Sequence, residues 1–223
     1  MSGDIRCVVL DIDDTLYLER DYAASGFAAV AAHLGCPEFG PAACAALERG
    51  VRGRIFNEVL DQLNLDPPSG GVGELVRVYR EHKPKIELLR DARAAIEEWN
   101  GRALLAAITD GPLASQQAKA RALGLAEWCH PIVFTAELGE GRGKPHPAAF
   151  LKVETDLGLR PEQCVYIADN PAKDFITPSE RGWTTLRVRR PRSLHESQLS
   201  GPDVQWEVTS LASLPSALQE ILP

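Results

Sequence analysis

The 223-residue sequence has no CxxC pair: its five cysteines, Cys7, Cys36, Cys44, Cys129 and Cys164, are odd in number and widely spaced. That spacing excludes a thiolate metal knuckle and a disulfide framework, and the five read as buried thiols of a cytoplasmic protein. No stretch approaches the ~20 apolar residues of a membrane-spanning helix. The apolar run that ends at Asp11 is too short for a secretion signal, so a soluble protein with no membrane partner is expected. Net basic charge is missing too. The formal net charge of -7 argues against a nucleic-acid partner held by phosphate neutralisation. An anionic small molecule stays compatible, because a pocket needs only local positive charge or a bound cation. Internal repeats and low-complexity tracts are also lacking. With 44% hydrophobic and 25% charged residues, the composition is that of a globular chain long enough for one core with an insertion, or for two modest domains.

What is present alternates. Ile5 to Leu10 is apolar on both faces and runs into Asp-Ile-Asp-Asp-Thr, which reads as a buried parallel strand with acids at its carboxyl end. Ala103 to Ile108 ends in Thr-Asp-Gly, Cys164 to Ala168 in Asp-Asn-Pro, and Thr184 to Val188 in Arg189 and Arg190; a shorter strand, Ile132 to Phe134, ends at Thr135. Helical patterns separate them over Leu113 to Leu123, Pro147 to Leu157 and Ala172 to Arg181, with Gly124, Gly158 and Gly182 where C-terminal caps belong. This rhythm predicts an α/β fold with a doubly wound parallel sheet. Residues 18–85 break it. They hold no convincing strand and four helical candidates, Tyr22 to Leu34, Ala42 to Val51, Ile55 to Leu63 and Gly73 to Arg80, punctuated by prolines and glycines. The expected division is a core of residues 1–17 and 86–223 with an all-helical insertion of residues 18–85. The core resumes in a helix over Asp91 to Trp99, and Val208 to Leu222 reads as a strand end followed by a closing helix. Arg20, Tyr22, Arg54, His82 and Lys83 are the insertion's candidates for reaching a ligand, although each is more often a solvated or structural residue. The tryptophans 99, 128, 183 and 206 read as packing residues.

Four polar clusters fall at carboxyl ends of core strands, where an open α/β sheet places its ligand crevice. Asp11 and Asp13 sit two residues apart in a turn that can aim both carboxylates into one crevice. Their repulsion calls for a divalent cation, and oxygen ligands suit Mg²⁺. Thr109, Asp110 and Gly111 offer a hydroxyl and backbone N–H groups beside a flexible glycine, a phosphate cradle. Lys144, between Gly143 and Pro145, places an ammonium on a constrained loop. Asp169 and Asp174 form a second acidic pair. Each cluster alone is more often a turn, a cap or a surface charge; their order and placement together point to a site.

That ordered set resembles the haloacid dehalogenase superfamily. The first motif is matched by Asp11-Ile12-Asp13-Asp14-Thr15-Leu16, the second by Ile108-Thr109-Asp110-Gly111, the third by Gly143-Lys144-Pro145, and the fourth by Asp169-Asn170-Pro171-Ala172-Lys173-Asp174. The likeness spans essentially the whole chain, with a helical cap inserted between the first and second motifs. It implies a Mg²⁺-dependent phosphatase of a small phosphorylated metabolite, such as a sugar phosphate. Asp11 would be the nucleophile and a metal ligand; Asp13 would be the general acid and base, its backbone carbonyl ligating the metal. Thr109, the amide of Asp110 and Lys144 would hold the phosphoryl group. Asp169 would bind the metal directly, and Asp174 would be an outer-shell acid or partner of Lys144. Asp14 and Ala168 stand where many relatives have glycine. A phosphomutase of the β-phosphoglucomutase type shares all four motifs and is the alternative. Dehalogenases carry no acid two residues after the nucleophile, and a phospho-aspartate receiver module has no helical insertion, so both fit less well.

Overall fold

The computed structural model describes residues 5–214. Six strands, β1 (Cys7–Leu10), β2 (Leu104–Thr109), β3 (Ile132–Phe134), β4 (Cys164–Ala168), β5 (Thr184–Val188) and β6 (Trp206–Val208), form one sheet in the order β3-β2-β1-β4-β5-β6. Every pairing is parallel. β1 lies at the centre, with Leu10 opposite Ala107 on one side and Ile167 on the other. The strand order reverses at β1, so the crevice of an open α/β sheet opens at its carboxyl end.

Both faces of the sheet are covered, which is why β1 and β4 read as unbroken apolar runs. One face sets Cys7, Val9, Ala106, Ile108, Cys164 and Tyr166 against Phe150 and Val153 of a helix over Ala148–Leu157. The alternate residues Val8, Leu10, Leu105, Ala107, Val165 and Ile167 are buried as well. Trp183 packs edge-on against Phe150, and its Nε1 donates to the Glu154 carboxylate at 2.7 Å. That bond satisfies the one polar atom of a wholly buried indole.

The chain divides into two compact units. The first holds the chain up to Glu19 and from Glu87 onward, and the second is Arg20–Ile86. In chain order the helices are α1 (Glu19–Leu34), α2 (Phe39–Glu48), α3 (Ile55–Leu63), α4 (Gly71–Glu81), α5 (Arg90–Trp99), α6 (Leu113–Ala122), α7 (Ala148–Leu157) and α8 (Ile176–Arg181). The second unit contains no strand among the described residues, and its core joins Phe27, Val30, Phe39, Val59, Leu60 and Leu75. There Tyr22 is buried against Tyr79 and His82, and Arg20 pairs with Glu48 at 2.5 Å.

Several boundaries differ from the sequence reading. α2 begins at Phe39, because Phe39 and Gly40 are buried with Ala43. α8 begins at Ile176, not Ala172, because residues 170–175 form an acid-closed turn: Asp174 Oδ2 accepts from the Asn170 amide at 3.0 Å, and Asn170 Oδ1 accepts from the Ala172 amide at 3.0 Å. Asn and Asp side chains that bond nearby backbone compete with helix in this way. Val208 ends a three-residue strand, and residues 211–213 make one tight turn. The strand end read at Val208 is present; no α-helix has begun by residue 214, and the rest of the segment read as a closing helix lies outside the described residues. Cys36 and Cys44 are half-buried, unlike the other three cysteines, and Trp128 and Trp206 are half-buried, unlike Trp99 and Trp183. Among the described residues no helix is long and apolar enough to cross a membrane.

Candidate active site

The carboxyl end of β1 feeds Asp11 into the crevice, its amide still held by the Ile167 carbonyl at 2.9 Å as a continuation of the sheet. Three residues on, the backbone turns through Asp14 at φ 52°, a left-handed conformation that favours glycine and that aspartate tolerates better than most residues. Asp14 secures the turn with its carboxylate: Oδ1 accepts from the Glu19 amide and Oδ2 from the Leu194 amide, both at 2.8 Å. This accounts for an acid where glycine is frequent, and it makes Asp14 a structural residue.

Lys144 is the hub. Its Nζ lies 2.7 Å from Asp11 Oδ1, 2.8 Å from Asp174 Oδ1 and 2.9 Å from the Tyr166 hydroxyl, and its side chain is 1% exposed. Burial works against the charge on Lys144, but Asp11 and Asp174 outweigh it and hold the ammonium well above its ordinary range. Asp11 itself is pushed up to about 7 by burial, against the pull of Lys144. Oxygen atoms of Asp11, Asp169 and Asp174, all buried, lie within 4.8 Å of one another. Each Asp174 oxygen faces a positive or N–H group, Oδ1 the Lys144 ammonium in an ion pair at 2.8 Å and Oδ2 the Asn170 amide at 3.0 Å. Asp169 Oδ2 is buried without a hydrogen-bond partner. Burial first, then Asp11 and Asp174, push the Asp169 carboxyl up to about 9. An orphaned carboxylate oxygen beside two further acids is costly unless a cation satisfies it, and an all-oxygen set suits Mg²⁺. The residues present therefore fit a hard divalent cation.

The second cluster closes the other side. Thr109 ends β2, and its hydroxyl donates to Gln116 Oε1 at 2.9 Å. Gly111, at φ 134°, keeps this contact open, because a Cβ there would stand 2.7 Å from Gln116 Nε2. The Asp110 carboxylate is held by three partners. Oδ1 accepts from the Thr135 hydroxyl at 2.7 Å and the Lys144 amide at 3.2 Å, and Oδ2 pairs with Lys173 Nζ at 2.8 Å. Burial opposes ionisation of Asp110, but Lys144 and then Lys173 hold its carboxyl below the usual range. Asp110 thus ties the Lys144 loop to β2.

The Asp13 carboxylate is not in the acid cluster. It accepts from the Tyr17 hydroxyl, from Gln116 Nε2 at 3.0 Å and from Lys119 Nζ at 2.7 Å. Gln116, Lys119, Tyr17, Thr135, Tyr166 and Lys173 escape sequence reasoning. For two of them a signal existed: α6 buries Ser115, Gln116, Lys119 and Ala120, a polar stripe at helical spacing where apolar residues are the rule. Arg187 also escapes it. Wholly buried on β5, it donates from Nε to the Asp169 carbonyl at 3.0 Å and from its other nitrogens to the carbonyls of His195 and Gln198. It anchors the backbone of Asp169 to the loop between β5 and β6.

With this geometry in view, comparison with known proteins is informative. Residues 5–177 match the haloacid dehalogenase-like hydrolase family. The chain is 28% identical over 201 residues to a glyceraldehyde 3-phosphate phosphatase of Methanopyrus kandleri, covering 83% of this chain and 84% of that protein. It is 31% identical over 133 residues to a phosphoserine phosphatase of Thermus thermophilus, covering 59% of this chain and 52% of that one. The structure resembles the magnesium-bound hydrolase YfnB of Bacillus subtilis with a TM-score of 0.69 at 18% identity over 99% of both chains, a likeness of fold. The sheet, the four strand-end clusters and the match over residues 5–177 together place this chain among the haloacid dehalogenase-like hydrolases, as an enzyme of that family.

Proposed function

We propose that the protein is a Mg²⁺-dependent phosphatase that hydrolyses a small phosphorylated metabolite through a phospho-aspartate formed on Asp11. The observation that carries the proposal is the buried trio Asp11, Asp169 and Asp174, with Lys144 between two of its members and one Asp169 oxygen unpartnered. Asp11, Asp169 and the Asp13 carbonyl would hold the cation, with Asp174 as the acid that steadies Lys144. When bound, Mg²⁺ neutralises charge on the phosphoryl oxygens and on the acids around it. Asp11 presents one oxygen to phosphorus while Lys144 restrains the other. Thr109, the Asp110 amide and Lys144 stabilise the equatorial oxygens as charge spreads over them. Asp13 supplies a proton to the leaving oxygen and afterwards takes one from the water that attacks phospho-Asp11. The phosphatase names of the two relatives support this reaction class, and an acid at position 13 disfavours dehalogenation. The helical residues 18–85, inserted between the first and second motifs, are proposed to select the substrate.

Phosphate release from a panel of phosphorylated three- to six-carbon metabolites tests the reading. Hydrolysis of at least one, dependent on Mg²⁺ and absent in Asp11→Asn, is expected. Full turnover in excess chelator, or conversion to an isomeric phosphate without release of phosphate, would count against it.

A further inference from the structure

Asp13 is held more tightly than an acid that must hand protons back and forth needs to be, and the way it is held distinguishes its two oxygens. Among the described residues, Oδ1 accepts from both the Tyr17 hydroxyl and Lys119 Nζ, whereas Oδ2 accepts from Gln116 Nε2 alone. A carboxylate offers about four lone-pair positions, two on each oxygen. Both positions on Oδ1 are taken, and one on Oδ2 remains. The Lys119 side chain is 3% exposed. Burying an ammonium is costly, and replacing both members of such an ion pair by well-packed apolar side chains is often neutral or stabilising. An ion pair kept against that cost points to a task other than stability. Gln116, one turn earlier on α6, accepts from Thr109 and donates to Asp13, so one face of this helix addresses both the phosphate cradle and the acid.

We propose that Lys119 is a positioning residue for proton transfer: it pins Asp13 through Oδ1, so that Oδ2 is the oxygen that gives and takes the proton. In the first step the Oδ2 proton passes to the leaving oxygen as its bond to phosphorus breaks and the Asp11–phosphorus bond forms. In the second, Oδ2 takes a proton from water as the water oxygen bonds to phosphorus and the Asp11 carboxylate departs. The inference rests on the phosphatase reading and adds to it a residue that none of the four motifs contains.

Lys119→Met and Lys119→Arg, assayed with Mg²⁺ and p-nitrophenyl phosphate by rapid quench, test it. The nitrophenolate leaving group hardly needs the first proton, but the second step still needs the base. Lys119→Met is expected to keep a near-stoichiometric burst while steady turnover falls roughly 10- to 100-fold, part of the 10²- to 10⁴-fold that acid–base catalysis supplies. KM should change little, and Lys119→Arg should recover most of the rate. Wild-type-like turnover in Lys119→Met would overturn the proposal. So would loss of the burst together with turnover and a lowered melting midpoint, the mark of a structural role. An inactive wild type would overturn the phosphatase reading and this proposal with it; an active wild type beside an unchanged Lys119→Met would overturn the role of Lys119 alone.

Discussion

Replacing Lys144 by methionine removes the cation that stands between Asp11 and Asp174 at 2.7 and 2.8 Å, all three side chains being buried. Breaking a buried ion pair from one side costs about 3–5 kcal/mol, because the remaining charge is left uncompensated. In a chain of this size each kcal/mol lowers the melting midpoint by about 2–4 °C, so a fall of roughly 6–20 °C is expected in chelator near pH 8. The sign of the pH dependence follows from the two partners. Lys144 is held well above its ordinary value, so its contribution is complete at low and neutral pH and fades only in strong alkali. Asp11 is raised to about 7; its contribution is complete below the ordinary carboxylate range and is lost as pH rises through about 7. A protonated Asp11 needs no counter-charge, so the deficit of Lys144→Met should shrink below about pH 6, and added Mg²⁺ near pH 8 should restore part of it. Turnover should fall about 10²- to 10³-fold, as when one preorganised charge-stabilising group is removed. Lys152→Met is the control: Lys152 is half-exposed on α7 and pairs with Asp156 at 3.0 Å, an interaction worth at most about 0.5 kcal/mol. Differential scanning calorimetry at two pH values, with and without Mg²⁺, decides the matter. Equal losses in the two variants would refute the placement of Lys144 at the hub of the acids.

Asp169→Asn should abolish activity and the Mg²⁺-dependent rise in melting midpoint while leaving the fold intact by circular dichroism. In the parent protein that rise should be larger near pH 8 than near pH 6, because the raised Asp169 carboxyl weakens the metal-free state as pH climbs towards about 9. Asp13→Asn should release a stoichiometric burst of phenolate from an aryl phosphate and then stall with phosphate on Asp11, whereas Asp11→Asn should give no burst; rapid quench with mass analysis of the intact protein reads both outcomes. Arg187→Met should cost about 2–4 kcal/mol in urea unfolding, since it strips the Asp169, His195 and Gln198 carbonyls of a buried donor. It should also weaken Mg²⁺ binding measured by calorimetry; unchanged affinity would mean that the Asp169 backbone needs no such anchor.

Much of this architecture is legible in the amino-acid order alone. Unbroken apolar runs ending in acids mark central parallel strands because both faces of such a sheet are covered, and Ile132–Phe134, Cys164–Ala168 and Thr184–Val188 fall where they are read. Gly124, Gly158 and Gly182 take up the left-handed backbone that closes a helix. The nearness of Asp11, Asp169, Asp174 and Lys144 follows from the same pattern, since the carboxyl ends of neighbouring parallel strands converge on one crevice. Helix starts are less legible. At 170–176 side chains of Asn170 and Asp174 bond the backbone before the helix can, and periodicity does not register that competition. What only the tertiary structure decided is the identity of partners. Lys119 meets Asp13 across 106 positions of chain, Lys144 meets Asp11 across 133, and Arg190 meets the Thr15 carbonyl across 175. Periodicity records whether a side chain is buried, because burial is a property of one residue and its face of an element. A hydrogen bond is a property of two residues brought together by the fold, and no local pattern in either segment names the other.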